Sequence, residues 1–230
     1  MKIEGATLCE RLRSGCAELW EELHAHPFIE GLTDGTLPPE TFRFYIEQNL
    51  QYLVEYARAM ALAAGRAGDV ETMRIFSADL TNIVEVEIPE NRELLARVLE
   101  LGDRDRKGSE GIAPATATYA GFLVETAATS PPVEVMAAIV PCTWSYGEIA
   151  SRRRDQIVDH PVYAEWVRFF ASPDYAVYVE RMQADFEWLV ARDDVPYDRL
   201  SFLFTTGVRL ERGFWDMAYA REHWPDLQVG

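Results

Sequence analysis

The chain is poor in positive charge, in cysteine and in long apolar runs, and each shortage closes a class of function. Against 38 Asp and Glu it carries 22 Lys and Arg, a formal net charge of −16. Such a surface repels phosphate backbones and anionic headgroups, so neither nucleic acid nor a membrane is an expected partner. No stretch of about 18 apolar residues occurs, and no spanning helix is expected. Three cysteines, Cys9, Cys16 and Cys142, cannot all pair within one chain, and their spacing fits neither a zinc ribbon nor a thioredoxin motif. Reduced thiols and a cytoplasmic location are the expectation. The first twenty residues include Glu4 and Glu10 and lack a continuous apolar core, so they do not read as a signal peptide. Phosphate-binding glycine loops, a dinucleotide fingerprint and a Ser-His-Asp elbow are missing. So are alternating β-branched runs with hairpin turns, which leaves little room for a sheet.

What is present is helical. Hydrophobic residues make up 48% of the 230 positions, and they recur at spacings of three and four nearly everywhere. The pattern predicts one all-α domain over 1–230, a bundle of about seven to eight helices with short loops. Helices are expected at about 6–24, 39–64, 70–101 with a bend at Pro89, 115–129, 132–158, 161–171, 173–192 and 197–222. The segment HPFIEGLTDGTLP, with Pro27, Gly31, Gly35 and Pro38, reads as a structured loop, and GDRDRKGSEG as an exposed linker. No internal repeat is apparent.

Three places carry residue types suited to chemistry. In PCTWSYGE, Pro141 frees the carbonyl of Ala137 and predicts a kink or restart just before Cys142. A restarted helix would set the thiol beside free N–H groups that favour thiolate. Alternatively, a lone helical cysteine is simply a small buried hydrophobe. Tyr146, four residues on, shares the face of Cys142. Tyr45, Asn49, Tyr52 and Tyr56 form one stripe of a helix, and buried phenols and amides need partners from protein or ligand unless they point to solvent. The amide of Asn49 matches the donor and acceptor edge of a neutral aminopyrimidine or adenine. Glu211 shares a face with Phe204, Val208, Phe214 or Trp215, and Ala218. Desolvation there raises a carboxyl pKa towards neutral acid–base work, unless Arg209 or Arg212 pairs with it.

Metal chemistry has thinner support. A di-iron bundle needs two Glu-x-x-His pairs, and only Glu21-x-x-His24 has that form. His24 and His26 read as capping or packing residues, and Glu85 and Glu87 as a solvated or locally paired face. No metal site is expected.

Several segments together resemble the TenA family, the thiaminase II or aminopyrimidine aminohydrolase group with a haem-oxygenase-like helical bundle. HPFIEGLTDGTLPPETFRFYIEQNLQYL resembles its long N-terminal signature, PCTWSYGEIA the segment holding its catalytic cysteine, and HPVYAEWVRFFASPDY and LERGFWDMAY two later signatures. The match runs along essentially the whole chain in order. It implies that Cys142 is a nucleophile adding to a pyrimidine ring and that Glu211 is the acid/base protonating ring and leaving group. It further implies that Tyr52 supports the cysteine, and that Tyr119 and Tyr146 line the pocket from two different helices. Two positions depart from the family pattern: Asn49 stands where an aspartate grips the pyrimidine amine and ring nitrogen, and Phe170 replaces a pocket tyrosine. The implied activity is a thiamine-salvage hydrolase, releasing ammonia from an aminomethyl-aminopyrimidine, and also acting on intact thiamine, with no metal or organic cofactor, in a homotetramer. The two departures keep open a hydrolase of an N-formyl or otherwise modified aminopyrimidine, and a non-catalytic pyrimidine-binding regulator.

Overall fold

A computed structural model describes residues 6–101 and 111–225; among these there is no strand, and eleven α-helices and one π turn follow in order. The linker read at 102–111 falls almost wholly outside the described residues.

Helix ends sit where side chains can satisfy the free backbone groups. Helix α1 (Leu8–Gly15) opens on a capping box, with Thr7 Oγ1 accepting from the Glu10 N–H and the Glu10 carboxylate accepting from the Thr7 N–H. Helix α2 (Ala17–His24) follows a break at Cys16, whose φ and ψ of −129° and 33° leave the helical range. The predicted first helix is therefore two, divided beside the poor helix former Gly15. Helix α3 (Pro27–Asp34) corrects the loop reading of HPFIEGLTDGTLP. Pro27 occupies its first turn, the His26 Nδ1 accepts from the Phe28 N–H at 3.1 Å, and Gly35 ends it at φ +79°. These residues punctuate a short helix at both ends rather than a loop. Burial of Phe28, Ile29 and Leu32 makes that helix worth forming.

Helix α4 (Pro39–Arg66) is the longest, and α5 (Val70–Asn82) starts at Asp69, which accepts from the Thr72 N–H at 2.8 Å. The third predicted helix then passes through a π turn at Ile83–Glu87 before α6 (Ile88–Glu100), with the Ile88 N–H reaching the Ile83 carbonyl. Pro89 sits in the first turn of α6, so its missing N–H falls where the ladder has already been offset. Helices α7 (Pro114–Thr129), α8 (Pro132–Arg153), α9 (Tyr163–Phe170), α10 (Pro173–Arg192) and α11 (Tyr197–Ala220) complete the order.

One continuous set of buried side chains runs through α4, α7, α8 and α11, with Trp20, Trp166, Trp215 and Tyr45 wholly enclosed. Helix α8 continues unbroken through Pro141, so the predicted restart before Cys142 does not occur. Helix α11 covers that stretch: a Cβ on Gly207 would lie 2.8 Å from the Ala138 carbonyl oxygen and 3.1 Å from Pro141 Cγ. Glycine on one helix and proline on the other thus permit a close approach, and α8 and α11 meet along the faces that carry Cys142 and Glu211.

Candidate active site

The tyrosine stripe of α4 points inward, and every member has a polar contact. Tyr45 OH lies 3.4 Å from Tyr146 OH and accepts from the Trp166 indole N–H at 3.1 Å. Asn49 donates through Nδ2 to Asn91 Oδ1 at 2.9 Å, Tyr52 OH lies 3.6 Å from Cys142 Sγ, and Tyr56 OH is 3.5 Å from Thr143 Oγ1. The reading in which these hydroxyls merely reach solvent is therefore excluded.

Cys142 of α8 is half-buried, with the Tyr52 hydroxyl of α4 at 3.6 Å from its thiol and the Glu211 carboxyl group of α11 close enough to act on it electrostatically. Tyr119 of α7 donates to Glu211 Oε1 at 2.6 Å. Four helices thus contribute one group each. Glu211 is 1% exposed, and burial pushes its pKa up to about 7, partly offset by the Tyr119 and Cys142 donors. No arginine cancels the effect: Arg212 pairs with Glu22 and Asp216, and Arg209 lies near Cys16.

The expectation of an electropositive cysteine needs correcting. With no helix start at Cys142, burial first and then the Glu211 charge drive its thiol pKa well above the ordinary value, while Tyr52 pulls the other way. Two adjacent buried anions are costly, so the pair carries at most one charge, and the singly charged pair is either thiol with carboxylate or thiolate with carboxylic acid. The second form is a nucleophile next to a proton donor, which is the arrangement that covalent catalysis requires.

Aromatic rings wall this space. Tyr146 stacks on Trp215 at a centroid distance of 5.1 Å and meets Phe170 at 4.9 Å; Tyr52 meets Tyr119 at 4.7 Å and Phe214 at 5.8 Å. Such faces suit a flat, polar-edged ring. Cys142, Glu211, Asn49, Tyr52, Tyr119, Tyr146 and Phe170 are all buried or half-buried; Phe170 joins the group through Tyr146 and Tyr175, and Asn49 lies on the α4 stripe, held by Asn91.

The solvated alternative for Glu87 is corrected, and two further buried polar residues, Asp79 and Asn91, carry no signal in the sequence. Glu85 is exposed, as read, but Glu87 is buried on the π turn, its pKa raised by burial to about 7 and its Oε1 accepting from Asn82 Nδ2 at 2.9 Å. Asp79, fully enclosed, pairs with Arg181 and is still pushed up to about 6 by burial. Asn91 bridges Asn49 and the Glu87 backbone carbonyl. Only Pro89, inside a helical pattern, hinted in the sequence at an offset register.

The histidines behave as packing and capping groups. His26 caps α3, and buried His24 is held neutral, its pKa lowered to about 4 by desolvation and then by Arg152. Among the described residues, Glu21, His24 and Glu148 have ligand atoms within 4.8 Å of one another. Arg152 already bridges both carboxylates and Arg13 also pairs with Glu148, so guanidinium groups occupy that charge site.

Together, fold and site define a helical protein with a cysteine thiol and a buried carboxyl group set among aromatic rings. Its architecture is shared with a domain of unknown function with a haem-oxygenase-like fold from Shewanella denitrificans OS217: TM-score 0.71, 17% identity, covering 92% of this chain and 91% of that one. The chain belongs to the TENA/THI-4/PQQC family, whose pattern matches residues 14–221. It is 32% identical over 214 residues to an aminopyrimidine aminohydrolase of Halalkalibacterium halodurans, covering 90% of this chain and 92% of the other. A TenA homologue of P. horikoshii OT3 superposes with a TM-score of 0.82 at 31% identity, over 94% of this chain and 99% of that one.

Proposed function

We propose that this protein is a thiamine-salvage hydrolase that converts an aminomethyl-aminopyrimidine and water to the hydroxymethyl-pyrimidine and ammonia. The observation that carries this reading is the Tyr52–Cys142–Glu211–Tyr119 constellation, built from four helices among buried aromatic rings. Likeness to relatives named for aminopyrimidine hydrolysis supports the substrate class. In this reading Glu211 takes the thiol proton, and the Cys142 thiolate adds to the pyrimidine ring. The electron pair moves to a ring nitrogen, which Glu211 protonates. The ring electrons then expel ammonia from the substrate's ammonium group, leaving an exocyclic double bond; water adds to the methylene carbon and gives a proton to Glu211, and expulsion of the thiolate, which takes up the ring-nitrogen proton, restores the aromatic ring. One hard substitution becomes several easier steps. Tyr52 stabilises the thiolate, Tyr119 holds Glu211, and Tyr146 and Phe170, in contact with each other, line one side of the ring's site. Intact thiamine is a secondary substrate.

Asn49 favours a second reading, an N-formyl or otherwise modified aminopyrimidine, because an amide there lacks the carboxylate's preference for a protonated ring. Incubating the purified protein with aminomethyl-aminopyrimidine, its N-formyl derivative and thiamine, and following ammonia and pyrimidine alcohol by mass spectrometry, decides between them. The highest kcat/KM is expected for the aminomethyl compound. A higher value for the formyl compound selects the second reading, and binding without product selects a pyrimidine-binding regulator.

The full chain is proposed to act as one helical unit in a cytoplasmic homotetramer. Exposed Phe202, Tyr219 and Trp224 offer apolar surface for subunit contact. Trp224 lies just past the end of α11 rather than on it, with its indole N–H on the Ile112 carbonyl at 2.8 Å. Among the described residues no helix is long and apolar enough to cross a membrane.

A further inference from the structure

Asn91 is 1% exposed and makes two hydrogen bonds that run in a fixed direction. Its Nδ2 donates to the Glu87 backbone carbonyl at 2.8 Å, and its Oδ1 accepts from Asn49 Nδ2 at 2.9 Å. A backbone carbonyl can only accept, so it dictates which end of the Asn91 amide faces it. The other end, a carbonyl oxygen, then dictates that Asn49 turns its NH₂ towards Asn91. The orientation of Asn49, which side-chain shape alone would leave ambiguous, is set two residues away by a main-chain oxygen at the junction of the π turn and α6.

In the aminopyrimidine reading, Asn49 meets the edge of the ring. With one N–H given to Asn91, Asn49 has its Oδ1 and one remaining N–H for a ligand. We infer that Asn91 is a positioning residue that makes the site select a pyrimidine edge of amine beside unprotonated ring nitrogen, against the edge of oxo group beside ring N–H. This rests on the aminopyrimidine reading above. An Asn49 amide turned by 180° would present the reverse pattern and favour the oxo ring, but it would set two carbonyl oxygens against each other at Asn91.

The test is equilibrium binding of two ligands, the hydroxymethyl-aminopyrimidine and its counterpart with oxo in place of the amine, to wild type, Asn91→Leu and Asn91→Asp. Wild type is expected to prefer the amine at least about tenfold, the scale of one well-made bidentate pair. Asn91→Leu removes the anchor, and the preference falls to within about threefold. Asn91→Asp, its buried carboxyl group protonated and donating to the Glu87 carbonyl, still accepts from Asn49 and retains the preference. Asn91→Ala, where water can serve either orientation, reads the same ratio should the leucine variant not fold. A uniform loss of affinity in Asn91→Leu or Asn91→Ala, with the ratio unchanged, overturns the inference and leaves the hydrolase reading standing. Failure of wild type to bind either ring overturns both.

Discussion

Replacing Glu211 by glutamine keeps the shape of the side chain and an acceptor for Tyr119, and removes a titration buried in the middle of the protein. The unfolded carboxyl ionises near its ordinary value of 4.5, and the native one at about 7 because burial penalises the anion. Between those values the unfolded chain gives up its proton first, so this group's contribution to native stability is full below about pH 4.5 and declines as pH rises through 7. At about 1.4 kcal/mol per unit of pH, the interval amounts to roughly 3 kcal/mol lost by pH 8. Asp79 and Glu87 titrate in the same direction, but both proteins contain them and they cancel in the comparison. About 2.5 kcal/mol of the Glu211 loss falls between pH 5 and pH 8, so thermal melts at those two values should show the variant gaining on wild type by roughly 5–10 °C at the higher pH, given about 2–4 °C per kcal/mol for a chain of this size. Turnover should fall by about 10²–10⁴ at every pH. An equal melting difference at both pH values would refute a buried carboxylate that titrates near 7.

Other substitutions probe the supports of the same site. Tyr119→Phe removes the donor that holds the Glu211 pKa down, so the limb of the kcat profile assigned to Glu211 should move to higher pH, with kcat lower by about tenfold. Gly207→Ala drives a methyl into the Ala138 carbonyl; it should cost about 1–3 kcal/mol in denaturant unfolding and reduce kcat by spreading α8 and α11. Arg181→Ala leaves Asp79 without its counter-charge, and urea melts should show a larger loss at pH 8 than at pH 5, where the carboxyl is protonated.

Much of this site is visible in the sequence because it lies on regular helices. Tyr45, Asn49, Tyr52 and Tyr56 share a stripe that helical spacing alone reveals, and Glu211 sits on an apolar face whose burial follows from its neighbours. Glu87 and Asn91 stay hidden for a physical reason. The π turn inserts an offset into the helical register, so a 3.6-residue period carried through it assigns Glu87 to the wrong face. Helix α3 is missed because eight residues with an internal glycine give too little periodicity, and its end signals double as turn signals. The environment of Cys142 depends on what packs against it. Pro141 suggests a broken helix with free N–H groups, whereas the approach of α11 through Gly207 preserves the helix and brings a carboxyl group to the thiol instead.

The central claim is that Cys142 attacks the ring. The most direct test compares wild type and Cys142→Ala for ammonia release from aminomethyl-aminopyrimidine, with the affinity for the hydroxymethyl product measured on the same preparations. Turnover in the variant is expected to fall to background, with product affinity within about threefold, because the alanine removes the nucleophile and leaves the aromatic walls in place. Turnover within about tenfold of wild type would contradict it, since no transition state that forms a bond to sulfur survives the loss of that sulfur at so small a cost.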